Sequence, residues 1–146
     1  MVEIRELVES DLDKVMEIEN LCFVAPWKKE DILRELKNNE FATLYVATIK
    51  NEVVGYMDFW ITFDSATICQ IAVHPDFQRQ AIGSALLLEA LKDCYAKKVL
   101  TITLEVRESN SKGINFYTKH GFNQFLVKPN YYSNGENAIY MMRGVK

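Results

Sequence analysis

The chain is poor in the residues that build metal clusters and covalent staples. Its 146 residues include three cysteines and two histidines. Cys22, Cys69 and Cys94 are widely spaced and form no C-x-x-C pair. His74 and His120 stand alone, so no metal is expected and the thiols are read as reduced and buried. Positive charge is not in surplus either. A formal net charge of -3 excludes nucleic acid and an anionic membrane as the main partner, and any anion site must be local. No apolar run approaches the ~18 residues of a membrane span, and the charged start Met1-Val2-Glu3-Ile4-Arg5-Glu6 is unlike a signal peptide. These absences point to the cytoplasm. Internal repeats, linkers and low-complexity tracts are missing as well.

What is present suits an ordinary globular domain: 49% hydrophobic and 25% charged residues, read as one domain over residues 1–146. Val2 to Val8 turns Val2, Ile4 and Leu7 inward as a first strand. Ser10 offers a helix cap, with Asp11 and Asp13 in the first turn, and Leu12, Val15, Ile18 and Cys22 form the stripe of an amphipathic helix. Pro26 interrupts the pattern at Phe23-Val24-Ala25-Pro26-Trp27. Ile32, Leu33 and Leu36 support a second helix, ended by Asn38-Asn39. The apolar loop between them has two readings: a plug for the edge of the core, or one wall of a substrate cleft with Trp27 in it.

Phe41 to Ile49 and Val53 to Phe63 are β-branched and aromatic around the turn Lys50-Asn51-Glu52. With the strand that ends at Val73 they make three consecutive antiparallel strands. Ile68 to Val73 reads as buried on both faces. A helix follows from Ile82 to Tyr95, with Ala85, Leu88, Leu91 and Tyr95 on its buried side. Val99 to Val106 is the next strand, parallel to the one before the helix in a right-handed crossover. A helix from Asn110 through His120, capped by Gly121, leads to two last strands, Phe122 to Val127 and Ala138 to Met142.

The segment Gln78 to Ser84 therefore lies at a helix N-terminus, where unpaired N–H groups and a partial positive charge attract anions. Ala81, Gly83 and Ser84 are small enough for close approach, and Arg79 adds a cation. In Thr101-Ile102-Thr103-Leu104-Glu105-Val106, alternation puts Glu105 opposite Ile102, Leu104 and Val106. Glutamate is depleted in strands. It is either a polar residue paired with Arg107 or a lysine, or a general base whose pKa burial raises. Tyr117 is an amphipathic core tyrosine or an acid, and Asn110 a helix cap or a ligand contact. Cys69 could be proposed as a nucleophile; an inert thiol is the plainer account.

Gln78-Arg79-Gln80-Ala81-Ile82-Gly83 resembles the pyrophosphate loop of the GNAT superfamily of N-acetyltransferases, and the element order β-α-α-β-β-β-α-β-α-β-β matches that fold. The resemblance implies a mixed α/β (α+β) sheet of about seven strands flanked by four helices. One departure stands out. Ala81 replaces the first glycine of that loop, and at a position needing positive φ its Cβ would cost on the order of 1 kcal/mol. A binding module without turnover therefore stays among the open readings.

Leu104-Glu105-Val106-Arg107-x-Ser109-Asn110, Phe116-Tyr117, Gly121-Phe122, Asn130-Tyr131-Tyr132 and Ala138-Ile139-x-Met141 further resemble the ribosomal-protein-alanine branch, the RimI type. That likeness implies acetyl-CoA as co-substrate and a protein N-terminus, from a small-subunit ribosomal protein, as acceptor. It places the pantetheine arm along the backbone of Ile71, Ala72 and Val73. The pyrophosphate would lie against Gln78, Arg79, Gln80, Ala81, Ile82, Gly83 and Ser84, with a further coenzyme contact from Asn110. Glu105 would be the base, Tyr117 the acid, and Trp27, Tyr131 and Tyr132 the walls of the acceptor cleft. An α-amine has a pKa near 7.7 to 8 against about 10.4 for lysine, so it is deprotonated more easily by roughly 3 kcal/mol. A glutamate suffices as base, and direct transfer is expected. Enzymes of the same fold acting on small amines or lysine side chains are the alternative.

Overall fold

The computed structural model describes residues 1–78 and 80–146. Seven strands form one sheet: β1 (Val2–Glu6), β2 (Ala42–Ile49), β3 (Glu52–Thr62), β4 (Ser65–Val73), β5 (Thr101–Arg107), β6 (Asn123–Lys128) and β7 (Ala138–Gly144), in the order β1-β2-β3-β4-β5-β7-β6. The helices are α1 (Leu12–Cys22), α2 (Lys29–Asn38), α3 (Ile82–Ala96) and α4 (Ser111–Lys119). β1 to β4 pair antiparallel, β4 and β5 parallel, and β7 lies antiparallel between β5 and β6. The expected mixed α/β sheet with four helices is what forms. No helix is long and apolar enough to cross a membrane among the described residues.

Two apolar layers sandwich the sheet. On one face Leu12, Val15 and Ile18 of α1 and Ile32 of α2 pack on Leu44, Val46, Tyr56 and Ala72. On the other, Ile82, Leu86, Leu87 and Ala90 of α3 join Met57, Phe59, Ile68, Ile102, Leu104 and Phe122. Burial of these apolar side chains dominates the stability of a domain this size.

Three local expectations need correcting. The cap of α1 is Asp11 and not Ser10, which sits in a one-turn 3-10 helix over Glu9–Asp11. Asp11 makes no side-chain bond to α1; its carboxylate accepts from the Val8 N–H at 2.9 Å, ahead of the 3-10 turn, and pairs with Arg5 at 2.8 Å. The buried side of α3 is Ile82, Leu86, Leu87, Ala90 and Cys94, while Leu88 and Tyr95 are exposed. The run Leu86-Leu87-Leu88 fits two phases of a 3.6-residue period, and packing on β3 and β4 selects one.

The third correction concerns β4. It is not buried on both faces throughout: Ile68 and Ala72 are buried, but Cys69, Gln70, Ile71 and Val73 are only partly so. Asp58 pairs with Gln70 and Phe59 with Ile68, which makes Cys69 an extra residue, a β-bulge. Beyond it β4 leaves its other neighbour, because the β4–β5 ladder runs only from Ser65–Thr101 to Ile68–Leu104. β5 continues to Arg107 on β7 alone. A V-shaped opening therefore separates Cys69–Val73 from Glu105–Arg107.

Candidate active site

The open edge of β4 presents backbone groups. His74 N–H donates to Val54 O at 2.8 Å, and in an antiparallel ladder alternate residues point to the same side. Ala72 thus bonds to β3, while the N–H and C=O of Ile71 and Val73 face the opening. The Val73 carbonyl is already used from that side, accepting from Gln78 Nε2 at 3.1 Å and from Cys22 Sγ at 3.2 Å. His74 is structural: its Nδ1 accepts from Asp76 N–H at 3.1 Å and caps the turn Pro75–Phe77.

The chain then reaches α3 through Gln80 and Ala81; Arg79, the expected cation, lies outside the described residues. Ala81 has φ 61 and ψ 22, left-handed, so the Cβ strain expected for this position is present. The first helical bond runs from Ala85 N–H to Ala81 O at 3.0 Å. The N–H groups of Ile82, Gly83 and Ser84 have no partner among the described residues, and they form an anion-binding helix start.

α4 covers this start. A Cβ on Gly83 would lie 3.3 Å from Phe116, so glycine permits the helices to meet. Ser84 Oγ and His120 Nε2 lie 2.8 Å apart, and burial followed by Lys119 and Arg143 lowers the imidazole pKa, favouring the neutral ring. Asn110 Oδ1 accepts from Gly113 N–H at 2.9 Å, the cap that its type suggested.

Tyr117, on the same helix, stacks edge-on against Phe116 and Phe122, with centroids 5.2 and 5.6 Å away. Its hydroxyl makes no hydrogen bond with a described residue, and the side chain as a whole is half-buried. Burial pushes its pKa upward and holds the phenol protonated.

Glu105 projects from the opposite face of β5. The burial expected for it is not found: the residue is exposed. Its partners are a lysine and a tyrosine. Lys128 Nζ lies 3.5 Å from Oε2, and Tyr131 Oη donates to Oε1 at 3.1 Å. Lys128 also sits 4.0 Å from the centroid of the Tyr140 ring. Beside them the Arg107 guanidinium covers Tyr132 at 4.0 Å and pairs with Glu136 at 3.2 Å. Glu136 in turn accepts from Ser109 N–H at 2.7 Å. These contacts pin the β6–β7 loop, and with it Tyr131 and Tyr132, over the end of β5.

Trp27 stands on the other side of this face. Its backbone N–H donates at 2.8 Å to Glu19, whose carboxylate is wholly buried and also accepts from Gln70 Nε2 at 2.8 Å and from the Tyr56 hydroxyl. Burial raises the Glu19 pKa against these three bonds. Phe23 and Trp27 pack on the core as a plug, and Trp27 also lines a pocket with Asp31, Arg34, Glu35 and Trp60. Sequence reasoning passed over Glu19, although a carboxylate between Ile18 and Cys22 on an apolar stripe was a usable signal. Of the thiols, Cys94 is buried and Cys22 and Cys69 are half-buried, all free. Burial pushes Cys94 up to about 11 and raises Cys22 and Cys69, which keeps these groups in the thiol form.

Comparison with known proteins bears on the fold and the family. Residues 12–122 match the acetyltransferase (GNAT) family. The ribosomal protein bS18-alanine N-acetyltransferase of Escherichia coli is 32% identical over 141 residues, covering 94% of each chain. The crystal structure of the Escherichia coli ribosomal-protein-alanine N-acetyltransferase superposes with a TM-score of 0.90, covering 100% of this chain and 95% of that one. Ard1 from Thermoplasma volcanium superposes with a TM-score of 0.92 at 33% identity, covering 99% and 98%.

Proposed function

We propose, from the premise that this chain belongs to the acetyltransferase (GNAT) family, that its 146 residues form one domain acetylating the N-terminal α-amine of a protein. Enzymes of this family take the acetyl group from acetyl-CoA. The acceptor on this reading is the N-terminal alanine of a small-subunit ribosomal protein in the cytoplasm, the substrate named for the relatives. Neither nucleic acid nor a membrane takes part. The observation that carries the reading is the opening between β4 and β5, with unpaired backbone groups on one side and Glu105 on the other.

The parts divide the work by their chemistry. The free N–H groups of Ile82, Gly83 and Ser84 hold the pyrophosphate, joined by Gln78, Arg79, Gln80 and Ala81. Asn110 keeps its amide nitrogen for the coenzyme while its oxygen caps α4. Ile71 and Val73 rather than Ala72 offer main-chain bonds to the pantetheine arm. This leaves the thioester at the mouth of the V.

Glu105 takes a proton from the incoming amine, directly or through water. The neutral amine adds to the thioester carbonyl; a C–N bond forms and the C–S bond breaks. Tyr117, kept protonated by its burial, donates to the departing thiolate and is restored from solvent. Lys128 and Tyr131 hold the Glu105 carboxylate in place. Trp27 and the pair Tyr131 and Tyr132 form facing walls for the first residues of the acceptor, and holding it beside the captured coenzyme orients the amine for attack.

Incubation with acetyl-CoA and unmodified small-subunit ribosomal proteins, followed by mass mapping, tests the proposal. One added acetyl group on an N-terminal alanine is expected. Modification of lysine in peptides with blocked N-termini overturns it in favour of a lysine or small-amine enzyme.

A further inference from the structure

Asp58 is the least accountable side chain in the molecule. It lies in the middle of β3, 1% exposed, and neither carboxyl oxygen has a hydrogen-bond partner. Burying a carboxyl group without a donor or counter-charge is unfavourable. Alternation along β3 puts it on the α1/α2 face with Tyr56 and Trp60. The bulge at Cys69 lies directly opposite it. One oxygen of Asp58, one of Glu35 from α2 and the Cys69 sulfur all fall within 4.8 Å of one another.

Glu35 offers Asp58 a partner only while Asp58 carries a proton. It accepts from Trp60 Nε1 at 2.5 Å and from Asn39 Nδ2 at 2.9 Å, and two ionised carboxylates have no donor between them. Burial, and then Glu35, pushes the Asp58 pKa up to about 9. Burial also acts to raise Glu35, but its bonds from Asp58, Asn39 and Trp60 outweigh that and lower it. The Cys69 thiol has only a 3.9 Å contact with the carbonyl of Thr67. Something positive belongs between these groups, either a proton or a metal ion.

We infer that Glu35, Asp58 and Cys69 form a binding site for a zinc-class divalent cation beneath the acceptor cleft. The donor set decides the class: a thiolate with two carboxylates suits Zn²⁺, whereas Mg²⁺ and Ca²⁺ take oxygen alone. Three protein ligands leave a fourth position. The pocket lined by Trp27, Asp31, Arg34, Glu35 and Trp60 opens to solvent on the Glu35 side of the cluster. Binding replaces the protons of the Asp58 carboxyl and the Cys69 thiol, so two protons leave for each ion and affinity rises with pH. No electron transfer is involved. An ion here fastens α2 to the bulge of β4 and sets the position of the Trp27 wall. The three residues are far apart in sequence, which is why cysteine and histidine spacing indicated no metal.

The test is binding, read on the full chain and separable from acetyl transfer. Equilibrium dialysis of the chelator-treated protein at pH 8 should return one Zn²⁺ per chain. Its Tm should rise by about 8 °C at a free Zn²⁺ concentration 100-fold above Kd. Co²⁺ should give a near-ultraviolet thiolate charge-transfer band. Asp58→Asn should fold, since an amide matches the neutral carboxyl in shape, and should lose the Tm shift; Cys69→Ser should lose the cobalt band. Absence of the shift and the band in the wild type overturns the inference and leaves a shared proton in the site. Their survival in Cys69→Ser overturns it equally, because the ion then sits elsewhere.

Discussion

The two halves of β4 have similar sequences and opposite fates. From Ser65 to Ile68 the strand is paired on both edges, to β3 and to β5. From Gln70 to Val73, beyond the unpaired bulge residue Cys69, it is paired to β3 alone, and Glu105 lies across the opening. The first half resembles any interior strand; the second resembles an edge, which most sheets cover or blunt. Here the edge is kept open, and helix α3 starts at its end. A site on this fold is made by withholding a strand's neighbour as much as by adding special side chains.

Substitutions can break this contrast. Glu105→Gln, at the open half, should lower kcat by on the order of 10²-fold or more, as for loss of a general base. Acetyl-CoA affinity should change less than about twofold in calorimetry, and wild-type turnover in the variant would remove Glu105 from its role. Leu104→Ala, one residue back in the closed half, should cost about 3 kcal/mol in urea unfolding, because Leu104 is 2% exposed in the core. The enzyme that remains folded should turn over normally.

Asp58 sits at the junction and gives a pH signature. Its folded pKa of about 9 lies above the unfolded value of 3.8, so between those limits the folded state binds more protons than the unfolded. Stability therefore declines as pH rises through this window, by up to ~1.4 kcal/mol per unit. With chelator present, denaturant melts at pH 6 and pH 8 should show that slope in the wild type and lose it in Asp58→Asn. The smallest effect belongs to Ala81→Gly. Relief of left-handed strain outweighs the added freedom of the unfolded chain by about 0.5 kcal/mol. A small rise in Tm and a coenzyme affinity within about threefold of the wild type are expected.

Much of this was legible in the residues, for reasons that can be named. The strands are β-branched, the turns carry Asn51 and Gly121, and the loop before α3 is small where a helix begins. Glu105 was conspicuous as a carboxylate in a strand. What the linear pattern hides is what depends on register. A one-residue bulge has no compositional mark, so neither the divergence at Cys69 nor the approach of Asp58 to Glu35 can be read from spacing. The exposure of Glu105 follows from the same divergence. The phase of α3 was hidden because three consecutive leucines satisfy either face.

The coenzyme contacts proposed for Ile71, Val73, Ile82, Gly83 and Ser84 are all made by amides and carbonyls. Every amino acid except proline carries that equipment, so these contacts do not depend on the chemistry of the side chains that bear them. Selection can then rewrite the acceptor walls at Trp27, Tyr131 and Tyr132 without disturbing the thioester. A lineage with this architecture can diversify its clients while its fuel stays the same.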